Sequence, residues 1–206
     1  MFLIYLFTLL AFSEPHKIVV LDTLYERKDQ DDFCQPPIDM RTKKESNNHA
    51  ANVIDTIRHF TKTKNHCFIN IGFWPSEKDT DINTSLELIR NMKPTIVVFA
   101  MESIRFNVTE FLLFKEISKT SIVIAAAGNS GIDLSKRCVV YIACYYIPGV
   151  HIVGALIKPN KQHLRSNRGQ AVTHWAQGVN VRVRNQSLTG TSIAAAVHTA
   201  KVIDGL

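Results

Sequence analysis

Short, uninterrupted apolar runs alternate along this chain with segments whose apolar positions recur every three or four residues. Lys17–Asp22 (KIVVLD), Cys67–Gly72 (CFINIG), Thr95–Met101 (TIVVFAM), Ser121–Ala127 (SIVIAAA) and Val150–Leu156 (VHIVGAL) are rich in β-branched residues. Continuous rather than alternating hydrophobicity is the mark of a strand covered on both faces. Between these runs, His49–Phe60 sets Val53, Ile57 and Phe60 on one helical face. Asn83–Met92 and Val108–Ile117 carry similar stripes, and Ser192–Ile203 predicts a last, alanine-rich helix. The alternation predicts an α/β fold: a mostly parallel sheet with helices on both faces, in three layers.

The polar stretch from Glu26 to Ser46 opens with the charge run Glu26-Arg27-Lys28-Asp29-Gln30-Asp31-Asp32 and reads as a surface loop. Its acidic residues lack the ordered spacing and turn glycine of a calcium loop, so calcium is not indicated. No internal repeat, long linker or low-complexity tract divides the chain, and 206 residues suit one α/β domain.

Composition adds limits rather than identity. Hydrophobic content of 46% and charged content of 20% are ordinary for a globular chain. A net charge of +6 comes with a loose basic cluster at Lys158, Lys161, Arg165 and Arg168, then Arg182 and Arg184. Aromatic side chains do not interleave with these charges as a nucleic-acid platform requires, so no nucleic-acid partner is expected.

Met1 to Phe12 is almost wholly apolar and turns polar at Ser13-Glu14. It is too short to span a bilayer comfortably, but it fits a signal-peptide core with Ala11 and Ser13 at the −3 and −1 positions of a cut before Glu14. Residues 1–13 are thus expected to be a signal peptide, although no Lys or Arg precedes the apolar core, and a buried first strand is the alternative. A secreted or extracytoplasmic protein without a stable membrane span follows. The four cysteines, Cys34, Cys67, Cys138 and Cys144, allow three disulfide pairings or four buried thiols, and the sequence does not choose. No Cys-x-x-Cys pair is present, which argues against a structural zinc site. Asn83, Asn107 and Asn185 each open an Asn-x-Ser/Thr sequon.

Four residues carry candidate chemistry. Asp22 ends an apolar strand, His49 opens an amphipathic helix, Asn129 lies in the turn Gly128-Asn129-Ser130-Gly131 after another strand, and Ser192 starts the alanine-rich helix. In an open α/β sheet, sites form outside the carboxyl ends of the strands, and all four positions fall at that edge. Carboxylate, imidazole, amide and hydroxyl are the parts of an acyl-transfer site.

On these segments the sequence resembles the subtilisin-like serine proteases. Val19-Val20-Leu21-Asp22-Thr23-Leu24 is similar to the family's strand ending in Asp-Thr/Ser-Gly, and His49-Ala50-Ala51-Asn52-Val53-Ile54-Asp55-Thr56-Ile57 resembles its His-Gly-Thr-His helix. Ala125-Ala126-Ala127-Gly128-Asn129-Ser130-Gly131 resembles the oxyanion-hole segment, and Gly190-Thr191-Ser192-Ile193-Ala194-Ala195-Ala196 the nucleophile segment. Weaker similarity links Pro148–Leu156 and Trp175-Ala176-Gln177-Gly178-Val179 to later family elements. The order Asp, His, Asn, Ser is the subtilisin order. The resemblance implies that residues 14–206 are a minimal subtilisin-like catalytic domain and that the chain is a serine endopeptidase. Ser192 would then be the nucleophile, His49 the general base, Asp22 its orienting carboxylate and Asn129 the oxyanion donor. It further implies a peptide or protein substrate, a monomer, and no cofactor or metal.

Several positions depart from the family pattern. Leu24 and Ala50 replace glycines, Asn52 replaces a second histidine, and Asp55 replaces a helix-packing glycine, to be either exposed or a negative charge near the site. The counterpart of the substrate-pairing Ser-Leu-Gly is Met101-Glu102-Ser103, where Glu102 would favour a basic P1 residue. Asp22 follows the expected signal cut too closely to leave room for an inhibitory prodomain, and the chain stops soon after the Ser192 helix, so it reads as a trimmed core. Leu24, Asn52 and Glu102 make a catalytically impaired pseudoprotease the second reading, and an esterase or acyl transferase using the same site the third.

Overall fold

Strand β1 (His16–Asp22) sits inside the sheet with a parallel neighbour on each side, β3 (His66–Gly72) and β4 (Ile96–Phe99). The computed structural model describes residues 14–41, 47–73, 80–102 and 104–206. The expected signal peptide and Ser103 therefore lie outside the described residues. Beyond β4 the sheet continues through β5 (Ile122–Ala126) and β6 (His151–Lys158). The short β2 (Ile38–Asp39) and β7 (Lys161–Gln162) extend the two ends, and β8 (His174–Gln177) runs parallel to β6. All these pairings are parallel except β6 with β7, and a separate hairpin joins β9 (Val181–Val183) to β10 (Gln186–Leu188).

The uninterrupted apolar runs become intelligible once both sheet faces are covered. Val19, Leu21, Val97, Phe99 and Val123 point to one face, against Leu86 and Ile89 of α2 (Thr80–Met92) and Leu113, Phe114 and Ile117 of α3 (Val108–Ile117). The intervening residues Ile18, Val20, Ile96, Val98 and Ile124 point to the other. There they meet Val53, Ile54 and Ile57 of α1 (His49–Phe60) and Ile193, Ala194 and Val197 of α5 (Thr191–Ile203). A strand buried on alternate residues in both directions has no polar face to show, which explains the pattern in the sequence. The expected three-layer α/β architecture is what the chain forms. The short elements β2, β7, β8, β9 and β10 and helix α4 (Tyr141–Cys144) carry too few residues to leave a periodic signal.

The polar stretch after β1 is less loop-like than its composition suggests. Disulfide Cys34–Cys67 ties it to β3, with Cα atoms 5.2 Å apart, and backbone bonds Cys34 N–H to Phe68 O and Phe68 N–H to Asp32 O run it alongside that strand. Closing the 33-residue separation removes roughly 3–4 kcal/mol of unfolded-chain entropy on the loop-closure account. The second disulfide joins Cys138 to Cys144. Two disulfides suit an oxidising compartment. Among the described residues, no helix is long and apolar enough to cross a membrane.

The charge run lies at the surface, but Glu26, Arg27, Asp29 and Asp32 are each drawn into ion pairs. Asp55 on α1 is buried and meets three guanidinium groups: Arg27, Arg58 at 3.1 Å and Arg184 at 2.9 Å. Arg58 also pairs with Asp32, and Arg184 with Asp29. Although partly desolvated, Asp29 is held down at about 2 by hydrogen bonds from Tyr25 and Arg184. Burial and the bond to Asp29 push the Tyr25 hydroxyl up to about 12. Asp55 is not exposed, the first of the two positions expected for it, and an arginine cage takes up its charge. Two basic residues of the C-terminal half bond to the rest of the fold while staying exposed: Arg184 joins this cage, and Arg168 donates to the Gly131 carbonyl.

Removing one partner of a buried ion pair strands the others, at a cost of several kcal/mol. Asp55→Ala is expected to lower unfolding free energy by less than that, about 1–2 kcal/mol, measured by urea denaturation: the guanidinium groups left behind are partly solvated, Arg58 and Arg184 keep Asp32 and Asp29, and Arg27 keeps, among the described residues, a long contact to Asn52 Oδ1 at 3.5 Å.

Candidate active site

Parallel strands deliver their carboxyl ends to one edge, and the four candidate residues meet there. Asp22, the last residue of β1, is fully buried. His49, the first residue of α1, sets Nδ1 2.8 and 2.9 Å from the two Asp22 carboxylate oxygens and Nε2 3.1 Å from Ser192 Oγ. An ionised carboxylate only accepts, so Nδ1 carries the proton and donates it, leaving the Nε2 lone pair to face the Ser192 hydroxyl. Desolvation pulls the His49 pKa down, but the hydrogen bond and charge of Asp22 outweigh it and hold the imidazole above its usual range.

Local polar groups fix this geometry. Asp22 Oδ1 accepts the Thr23 N–H, and Thr23 Oγ1 accepts the Ala50 N–H at 3.0 Å, strapping the end of β1 to the start of α1. Asn47 Oδ1 accepts the His49 N–H at 2.9 Å. The fully buried Asn70 of β3 donates to the carbonyls of Val20 and Thr23 and accepts the Tyr25 N–H, so one amide holds the whole turn after Asp22.

Ser192 lies in the first turn of α5, where backbone N–H groups have no intrahelical acceptor. Asn129 is tied to the same turn: its Oδ1 accepts the Thr191 N–H at 2.9 Å and the Thr191 hydroxyl at 3.2 Å. A backbone N–H can only donate, so the amide oxygen must face Thr191 and Nδ2 is the end left to donate. Thr191 Oγ1 in turn accepts the Gly128 N–H at 3.1 Å. Gly128 has φ of +95°, and a side chain there would run into Asn167 and Val140. Buried Asn167 donates to Ala127 O and accepts from the N–H groups of Ser130 and Ile132, holding the loop from its far side.

Met101 and Glu102 follow β4 at the same edge, half-buried, while Ser103 lies outside the described residues. Glu102 Oε1 accepts the Asn129 N–H at 3.1 Å, so the carboxylate leans on the Asn129 loop. The sequence reading picked out Asp22, His49, Asn129 and Ser192, and the fold brings them together. It missed the positioning role of Thr23, Asn70 and Asn167, which lie in stretches that look like ordinary turn and strand.

The departures are accommodated. Leu24 stacks on Gly72, the register partner of Asp22 on β3: a Cβ at Gly72 would fall 2.6 Å from Leu24 Cδ1. The glycine missing after Asp22 is therefore supplied from the neighbouring strand. Asn52 reaches Arg27 rather than the site.

With its parallel sheet and this order of elements, the chain has the α/β fold of the subtilisin-like proteases. Similar solved structures include the prenylagaramide maturation protease PagA, with a TM-score of 0.68 and 20% identity over 94% of this chain and 76% of that one. A cold-adapted subtilisin-like serine proteinase superposes with a TM-score of 0.69 at 14% identity, covering 95% of this chain and 78% of the other. A lanthipeptide protease gives 0.70 at 13%, covering 91% and 72%. No protein-family model matches the sequence, and no curated protein does.

If Leu24 and Gly72 are complementary, Gly72→Ala should cost about 1–3 kcal/mol through overpacking, and adding Leu24→Gly should return part of that loss in thermal denaturation.

Proposed function

We propose that the protein is a serine endopeptidase. The observation that carries this reading is the continuous contact from buried Asp22 through His49 to Ser192 Oγ. In this mechanism Ser192 Oγ attacks the carbonyl carbon of the scissile peptide bond while His49 Nε2 takes its proton. The negative charge that develops on the carbonyl oxygen is met by Asn129 Nδ2–H and the Ser192 N–H. The tetrahedral intermediate collapses as His49 passes the proton to the departing amine, and water, activated by the same imidazole, then cleaves the acyl-enzyme. Asp22 holds the tautomer and favours the imidazolium that forms between these steps. Losing one oxyanion donor costs roughly 100- to 1000-fold in kcat, a magnitude measured in a subtilisin. Keeping Asn129 in place by two bonds to Thr191 therefore supports turnover rather than fold alone.

The second reading, a pseudoprotease that binds peptides or a protein partner without cutting, is favoured by one observation. The Glu102 carboxylate rests on the Asn129 backbone, where its negative charge opposes an oxyanion. In the endopeptidase reading the same charge, together with Met101, lies on the substrate-facing segment and selects a basic P1 side chain. The enzyme acts as a monomer outside the cytoplasm, consistent with its two disulfides, and its reaction needs no cofactor.

Labelling by a fluorophosphonate probe is expected for the folded protein and not for Ser192→Ala; a folded wild type that stays unlabelled would leave only the pseudoprotease. The labelling rate should follow neutral His49. Its pKa is raised, so the rate falls as pH drops through a midpoint above 6.5, and Asp22→Asn should move that midpoint down. In a P1-scanning peptide library the wild type should prefer Arg and Lys. Glu102→Gln, which keeps an acceptor for Asn129, should lower that preference about two- to fivefold, the equivalent of one screened ion pair with the substrate.

A further inference from the structure

Three histidines far apart in sequence converge at the edge of the sheet opposite the candidate active site. His151 opens β6, His174 opens β8, and His198 lies on α5, six residues beyond Ser192 and so about 9 Å further along the helix axis. Strands β6 and β8 are parallel neighbours with Val153 opposite His174. Val153 and Ala176 pack in the core under α5, and His151 and His174, two residues from each, share that face. The result is a triangle of imidazoles with ring centroids 4.1, 4.5 and 5.1 Å apart.

We infer that His151, His174 and His198 form a binding site for a divalent transition-metal ion of the zinc type. One nitrogen from each ring lies within 4.8 Å of the other two. His151 Nδ1 and His198 Nε2 are already 3.0 Å apart, close to the separation of about 3.3 Å that a tetrahedral ion with bonds of 2.0–2.1 Å demands. His174 is the third vertex, with a ring nitrogen within 4.8 Å of both. Its orientation is prepared: Thr173 Oγ1 lies 2.9 Å from His174 Nδ1 and within reach of the Ile152 carbonyl. With the hydroxyl donating to that carbonyl, Thr173 accepts Nδ1–H, which leaves His174 Nε2 free to ligate. Outer-shell bonds of this kind are how metal-ligating histidines are commonly aimed.

Burial keeps the three rings below their usual pKa, with His198 at about 4, so the rings are neutral, and the one that donates in the His151–His198 contact needs only to move its proton to its other nitrogen to present a lone pair. Among the described residues, Lys201, less than one turn along α5, is a charged neighbour acting on His198. It favours hydroxide or another anion in the fourth position, which the half-exposed setting leaves open to solvent. Among the described residues the cluster includes no carboxylate for oxygen-seeking calcium or magnesium to bind. An ion held by β6, β8 and α5 would clamp the helix that carries Ser192 to the sheet, and it would do so whether or not the chain is a protease.

The test is titration of the chelator-stripped full-length protein with Co²⁺, followed by its visible bands, and with Zn²⁺ by calorimetry. One ion per chain is expected, with a Zn²⁺ Kd of about 1 µM or tighter. His151→Ala, His174→Ala and His198→Ala should each weaken binding about 100-fold or more, since even outer-shell losses cost 10- to 100-fold. His49→Ala and His163→Ala should leave it unchanged, which separates this site from the candidate active site. Should a variant fail to fold by circular dichroism, the wild type still decides: Zn²⁺ should protect these three histidines from diethyl pyrocarbonate, as located by peptide mapping. Binding weaker than about 0.1 mM, binding untouched by the three substitutions, or protection of other histidines instead would overturn the site and leave the triangle as packed neutral imidazoles.

Discussion

Helix α5 lies against β4, β5, β6, β8 and α1 through alanines and β-branched side chains, and the position of Ser192 depends on how closely it does so. Ala194, Ala195, Ala196 and Ala200 are all fully buried. Side chains this small let the helix axis approach the sheet and α1 together, so a hydroxyl at its start meets a histidine at the start of α1. A bulkier core here would move Ser192 away from His49, and an oriented site tolerates little such displacement. The hydrophobic contact is non-directional, yet through tight packing it becomes the means of aiming a polar group.

Onto that packing is built a polar scaffold made mainly of amides and hydroxyls. Thr23, Asn70, Thr191 and Asn167 are buried and bonded on more than one side, and between them they hold the turn after Asp22, the start of α1 and the Gly128–Ile132 loop. Each such bond adds only about 1 kcal/mol net, but an orphaned buried partner costs about 1–3 kcal/mol. The network therefore holds one arrangement more by penalising the alternatives than by adding stability. Neutral groups carry the scaffold, and among the described residues the charged side chains bonded to the site are Asp22 and Glu102.

The unusual positions become coherent as pairs rather than as lapses. Leu24 brings bulk to the Asp22 turn and Gly72 makes room for it. Asn52 and Asp55 share Arg27, and Asp55 gathers Arg58 and Arg184 as well, so a carboxylate on the buried face of α1 is neutralised at some distance from His49. Such exchanges keep the fold at 13–20% identity to the solved structures it resembles, because packing volume and hydrogen-bond satisfaction constrain combinations of residues more than single ones.

By itself the sequence determined the five long strands β1, β3, β4, β5 and β6, the four main helices and the layered architecture, since continuous apolar runs and helical stripes follow from which faces are buried. It also marked Asp22, His49, Asn129 and Ser192, because turn and helix-start residues at strand ends must gather at one edge of a parallel sheet. The cysteine pairing, the cage around Asp55, the contact of Leu24 with Gly72 and the bond from Glu102 to Asn129 were decided only by the tertiary structure. The same holds for the triangle of His151, His174 and His198. Each joins residues distant in the chain through strand order and helix docking, and local periodicity carries no record of which distant segments will become neighbours.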